Sequence, residues 1–163
     1  MMKTFDEYIK EEHQIYDTET DLYYHGSWNK FDEFVPSHDT DYTYGIPVYF
    51  FTKNINYARN YGTNIYVVKL NIGNSQIFDT SKPEHMEIYK STMTEKGLSD
   101  ITKQKLLQDF NSKTKLPIWW NDFAYYVAWK NQFQGILISE EYTEESIGVF
   151  NKHKIKILKV DKL

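Results

Sequence analysis

At 163 residues, 40% hydrophobic and 26% charged, the chain is long enough for one domain with a proper core, and no stretch approaches the roughly 18 to 20 uninterrupted apolar residues of a membrane span. The absence of cysteine excludes disulfides, thiolate metal sites and a cysteine nucleophile, leaving carboxylates, hydroxyls and five histidines for chemistry. A formal charge of −4 argues against nucleic-acid binding by phosphate neutralisation over a broad surface, and an N-terminus without the apolar run of a signal peptide is expected of a cytoplasmic protein.

Residues 3–16 space Phe5, Tyr8, Ile9 and Ile15 as on a helix. Leu22 to His25 reads as a short strand ending at Gly26, and Trp28 to Phe34 as a loop or single helical turn. Ser37 to Tyr44, polar and bounded by Pro36 and Gly45, is a loop over a site. Val48 to Thr52 is a strand, and Asn54 to Tyr61 a short helix capped by Thr52 or Asn54. Ile65 to Ile72 is the clearest strand, with Gln76 to Asp79 following a Gly73-Asn74 turn signal. Pro83 to Lys115 suggests two modest helices around Gly97, set outside the main sheet. Asp122 to Asn131 is helical, Ile136 to Ile138 a strand, and Glu140 to Glu145 an acidic link. Ser146 to Phe150 and Ile155 to Val160 are the last strands, and no repeat or linker divides the single domain, 1–163.

Some of these elements carry residues suited to holding a planar ligand. His25 and Gly26 close the first strand, Phe50 lies on the second, and Tyr61 follows Phe50 by eleven positions. His25 alone reads more readily as a satisfied histidine at a strand end, and the aromatic residues as core. Taken in order, Tyr24-His25-Gly26-Ser27, Tyr49-Phe50-Phe51-Thr52, Asn54 to Tyr61, Tyr66 to Ile72, Phe133-Gln134-Gly135-Ile136 and Val149 to Lys156 are similar to the motifs of small bacterial and phage ADP-ribosyltransferase-like domains. The resemblance is to the His-Tyr-Glu class, the branch of diphtheria toxin and the poly(ADP-ribose) polymerases. It implies an α+β fold of split antiparallel sheets with flanking helices and a central cleft for NAD, a co-substrate, with no metal expected.

What the resemblance implies for residues is specific. His25 would hydrogen-bond the adenosine ribose, and Gly26, with Ser27 beside it, would offer main-chain groups to the nicotinamide amide. Phe50, where the family has tyrosine, and Tyr61 would sandwich the nicotinamide ring. Thr52 lies on the same strand, and Tyr49 supplies a hydroxyl that strand alternation turns to the other face. A family glutamate near the ribose stabilises the charge that develops as the glycosidic bond breaks. Counting back four positions from Phe150 reaches Ser146, so a one-residue bulge is needed to deliver Glu145, and Glu144 is the next carboxylate. These acids, with Glu140 and Glu141, read equally as a solvated loop.

The expected function is mono-ADP-ribosyl transfer to a macromolecular acceptor, a protein rather than nucleic acid, with release of nicotinamide, by an effector of phage or bacterial type. The alternative is a catalytically impaired module of the same fold that binds and inhibits a protein partner. RNA 2′-phosphotransferase chemistry is disfavoured because Arg59 is the only arginine. His38-Asp39-Thr40-Asp41 is the one weak cation candidate, and no metal-like histidine pairing, phosphate loop or nucleophile elbow occurs.

Overall fold

The computed structural model describes residues 21–35, 43–108, 122–139 and 145–162. The expected N-terminal helix, the 37–42 part of the polar loop and the His38-to-Asp41 candidate lie outside them. Its strands are β1 (Tyr23–Ser27), β2 (Tyr49–Thr52), β3 (Asn64–Leu70), β4 (Ile77–Phe78), β5 (Gly135–Ser139), β6 (Glu145–Val149) and β7 (Ile155–Lys162). The helices are α1 (Ile55–Ala58), α2 (Pro83–Lys96), α3 (Asp100–Gln108) and α4 (Phe123–Lys130).

The strands form one mixed sheet in the order β4-β5-β6-β2-β1-β3-β7, antiparallel throughout except for the parallel pair β4 and β5. The split expected from sequence survives inside it. β2 pairs with β6 from Tyr49 to Thr52, and β1 pairs with β3 along its whole length, yet β1 and β2 meet only at Tyr24 and Thr52. The Gly73-Asn74 turn signal is a 3-10 turn at Asn74–Gln76, and β4 then pairs with β5 rather than with β3.

Strand alternation gives the sheet two cores. On one face Tyr23, Tyr49, Phe51, Tyr66, Val68 and Ile147 pack together, with Phe31 and Phe34 folded over them. Tyr66 pins that cover, because its ring stacks on Phe31 at 4.1 Å and its hydroxyl donates to the Phe31 carbonyl at 2.8 Å. On the other face Val48, Ile136 and Ile138 meet Tyr89 and Met93 from α2 and Phe123 and Val127 from α4. So α2 does not stand apart from the sheet: its polar composition hides a buried stripe of His85, Tyr89, Thr92 and Met93 at helical spacing. Each such fully buried apolar side chain stabilises the fold by about 1.5–3 kcal/mol.

Candidate functional site

Beyond Tyr24 and Thr52 the two halves of the sheet diverge, and continuing that register sets Gly26 across the gap from Phe50. One hydrogen bond crosses there. His25 Nδ1 lies 2.8 Å from the Phe50 carbonyl, and a carbonyl only accepts, so Nδ1 carries the proton. The imidazole sits edge-on to Phe31, Phe34 and Tyr66 and tilted against Phe51, with centroids 5.1–6.4 Å away. Burial among these rings lowers its pKa, against a smaller opposing pull from the Phe50 carbonyl, and favours the neutral form. His25 therefore clasps β1 to β2, which leaves Nε2 as the ring nitrogen with which it can meet a ligand.

Gly26 is glycine for a reason the sequence did not reveal. A Cβ there would lie 1.8 Å from the Ala58 carbonyl oxygen and 3.4 Å from Tyr61 Cβ, so the space beside its Cα holds the end of α1 rather than standing open to a ligand. What remains toward the split is main chain, since no residue of β1 after Tyr24 pairs with β2. The cap of α1 fixes the same junction: Asn54 Oδ1 accepts from the Asn56 and Tyr57 amides at 3.0 and 3.3 Å, and Thr52 Oγ1 accepts from Asn54 N at 3.0 Å.

After α1 a 3-10 turn, Arg59–Tyr61, brings Tyr61 to the mouth of the split, 51% exposed. Its hydroxyl bonds that of Tyr57 at 2.9 Å, and the two rings meet edge to face at 5.5 Å. The chain then turns at Gly62, φ 148°, where a Cβ would come within 2.0 Å of the Ser27 main chain. Asn64 Nδ2 holds the same point, donating to the Ser27 and Trp28 carbonyls at 3.2 and 3.3 Å. Sequence reasoning missed Asn64 and Tyr57; an amide side chain opening an otherwise apolar strand was the available signal for Asn64.

Phe50 lies on the face of Gly26, its ring edge-on to Tyr125 at 6.2 Å and not in contact with Tyr61. Tyr49 is buried in the opposite core, as alternation requires. Ser27 Oγ accepts from Asn29 N at 3.1 Å, and Thr52 is buried with its hydroxyl spent on the turn into α1, so both serve the local backbone.

The far rim is β6. Its ladders to β2 and β5 run without a register shift: Ser146 opposes Thr52 and Ile138, Ile147 opposes Phe51, and Glu145 opposes Ser139. Ile147 and Val149 belong to the Phe51 core, so alternation turns Ser146, 3% exposed, to the face of Phe50 and gives Glu145 the face of Ile147. The bulge needed to bring Glu145 round is not in the ladder: an evenly paired strand has no extra residue to rotate it. Glu144, Glu140 and Glu141 lie outside the described residues.

Among the described residues no cluster of His, Asp and Glu could hold a metal ion, and no helix is long and apolar enough to cross a membrane. No curated protein matches the chain. A crystal structure of an anti-CRISPR protein superposes with a TM-score of 0.52, covering 89% of this chain and 98% of that one at 10% identity, a likeness of fold alone. The profile described as ADP-ribosyltransferase in polyvalent proteins matches residues 19–161, nearly the whole chain. The split sheet and the matching profile agree, and the chain belongs to the family of ADP-ribosyltransferases in polyvalent proteins.

Proposed function

We propose that the chain binds NAD in the split between β1 and β2 and transfers its ADP-ribose to a macromolecular acceptor, a protein, releasing nicotinamide. The observation that carries this reading is that the Gly26 main chain, with Tyr61 beside it, and Phe50 flank a gap that the sheet leaves unpaired. A planar ring held there would have an aromatic face from Phe50 or Tyr61, each stack worth roughly 0.5–1.5 kcal/mol beyond area burial. Main-chain groups of Gly26 and Ser27 would orient its amide, and Nε2 of His25 would meet the adenosine ribose. The C1–nitrogen bond breaks with its electron pair leaving on neutral nicotinamide, and positive charge develops on the ribose. The acceptor nucleophile attacks C1 and gives up its proton to solvent.

The stabilising carboxylate in this reading would be Glu145, which the regular ladder sets on the face of Ile147 and which would have to rotate to reach the ribose, or Glu144, with the Ser146 hydroxyl available to hydrogen-bond the ribose. A second reading, a catalytically impaired module that binds and inhibits a protein partner, is favoured by a single feature: Ser146, buried, stands four positions before Phe150, where the resemblance puts the glutamate. Unfolding followed with and without NAD, then nicotinamide release, separates the two. Thermal stabilisation with release is expected of the transferase. Stabilisation without release across a broad acceptor search supports the module, and no stabilisation at millimolar NAD sinks the transferase.

A further inference from the structure

Tyr61 stands half-exposed at the mouth of the split, on backbone that does little to aim it. Its 3-10 turn is closed by a long bond, Gly62 N to the Arg59 carbonyl at 3.4 Å, weak for a main-chain hydrogen bond. The root of the side chain is placed, because a Cβ on Gly26 would lie 3.4 Å from Tyr61 Cβ. The tip is free to turn about χ1 and χ2 unless something holds it. What holds it is Tyr57, one helical turn earlier and on the same side: hydroxyl meets hydroxyl at 2.9 Å, with the rings at 68° and their centroids 5.5 Å apart. Among the described residues Tyr61 has no other ring contact and no other side-chain hydrogen bond.

We propose that Tyr57 is a positioning residue: its hydroxyl fixes the plane of the Tyr61 ring, so that the split selects the planar nicotinamide end of NAD and not merely its ADP-ribose. Naming NAD rests on the transferase reading; the restraint on the ring does not. Tyr57 suits the work because it is held where Tyr61 is not. It is 9% exposed, its amide donates to Asn54 Oδ1 at 3.3 Å, and the next residue, Ala58, has its carbonyl against Gly26. A phenylalanine at 57 would fill the same space and keep the edge-to-face contact, so packing alone does not require the hydroxyl. A ring ordered before the ligand arrives loses less freedom on stacking, and the difference appears as affinity. ADP-ribose has no ring at that place and gains nothing from the restraint.

The test compares the full chain with Tyr57→Phe, Tyr61→Phe and the double variant. Affinity is measured calorimetrically for NAD and for ADP-ribose, and the order of the Tyr61 ring is followed by carbon relaxation in the free chain. Tyr57→Phe is expected to unfold in urea at the parent's midpoint and to loosen the Tyr61 ring. It should weaken NAD about threefold, the loss of one neutral hydrogen bond to a half-exposed group, and leave ADP-ribose unaffected. In nicotinamide release, KM for NAD should rise by the same factor at unchanged kcat, since the restraint acts alike before and during bond cleavage. Tyr61→Phe deletes the same bond and should cost the same, and the double variant no more than either. A Tyr61 ring no looser in Tyr57→Phe than in the parent, equal losses for NAD and ADP-ribose, or losses that add in the double variant would overturn the proposal. A parent chain that binds no NAD would sink the transferase, and the ring measurement would still decide whether Tyr57 holds Tyr61.

Discussion

The two rims of the split are built to different standards. On the β1 rim three contacts fix the main chain: Ala58 against Gly26, Gly62 against Ser27, and His25 on the Phe50 carbonyl. Each ties this rim to the packing of the fold, so it could not shift without unseating α1 or the aromatic cover. On the β6 rim a regular ladder presents Ser146 and stops at Glu145, where the described strand begins. Under the proposed function, binding would be held by the core, whereas the charge needed for turnover would fall to the end of a strand. Gly26→Ala strikes the first rim hardest. Its methyl must displace backbone rather than a flexible side chain, so we expect a loss of about 3 kcal/mol in denaturant unfolding, at the upper end for overpacking, together with loss of NAD binding. A variant as stable as the parent would show that α1 is not seated as described.

The second rim yields a smaller effect of another kind. If Glu145 supplies the charge, Glu145→Gln leaves NAD affinity within about twofold and lowers nicotinamide release on the order of 100-fold, because the interaction belongs to the transition state. Unchanged release removes Glu145 from the mechanism. Tyr61→Ala is expected to act the opposite way, weakening NAD binding by about 1 kcal/mol, roughly fivefold, while half-exposed Tyr61 costs the fold less than about 0.5 kcal/mol. If both variants shift affinity alike, the rims do not divide binding from turnover.

How far the sequence reached follows the same division. Strand β3 was legible because its apolar run is buried on both faces, and α1 because Asn54 caps it with its own side chain. The His25–Gly26 motif was found, but not its work. The partner of His25 is 25 residues away, and the clash that demands glycine comes from Ala58, which only the fold brings near. Likewise β4 was read as following a turn, though its mate, β5, is supplied by a later part of the chain. Whether β6 bulged could not be read, since one residue more or less is the same string until a ladder aligns it.

The smallest expected effect compares two histidines, His85 buried and His25 partly so. Both have pKa values lowered chiefly by burial, His85 also by the charge of Lys82. The unfolded chain, with histidines near their ordinary value of about 6.5, therefore takes up protons before the folded one. Stability is full above that value and falls as the pH drops through the lowered folded-state values, with a slope of at most about 1.4 kcal/mol per pH unit for each histidine. The two differ in what protonation does. His25 Nδ1 already donates to a carbonyl and keeps its bond when charged, whereas His85 Nδ1 accepts from Asp79 N at 2.8 Å, over the stacked ring of Phe78, and loses that bond if Nδ1 takes the proton. Asparagine can imitate either arrangement without titrating. His85→Asn should flatten the fall in urea midpoint between pH 7 and 5 more than His25→Asn does. The reverse order would mean that the clasp across the split, and not the α2 contact, is the acid-sensitive joint.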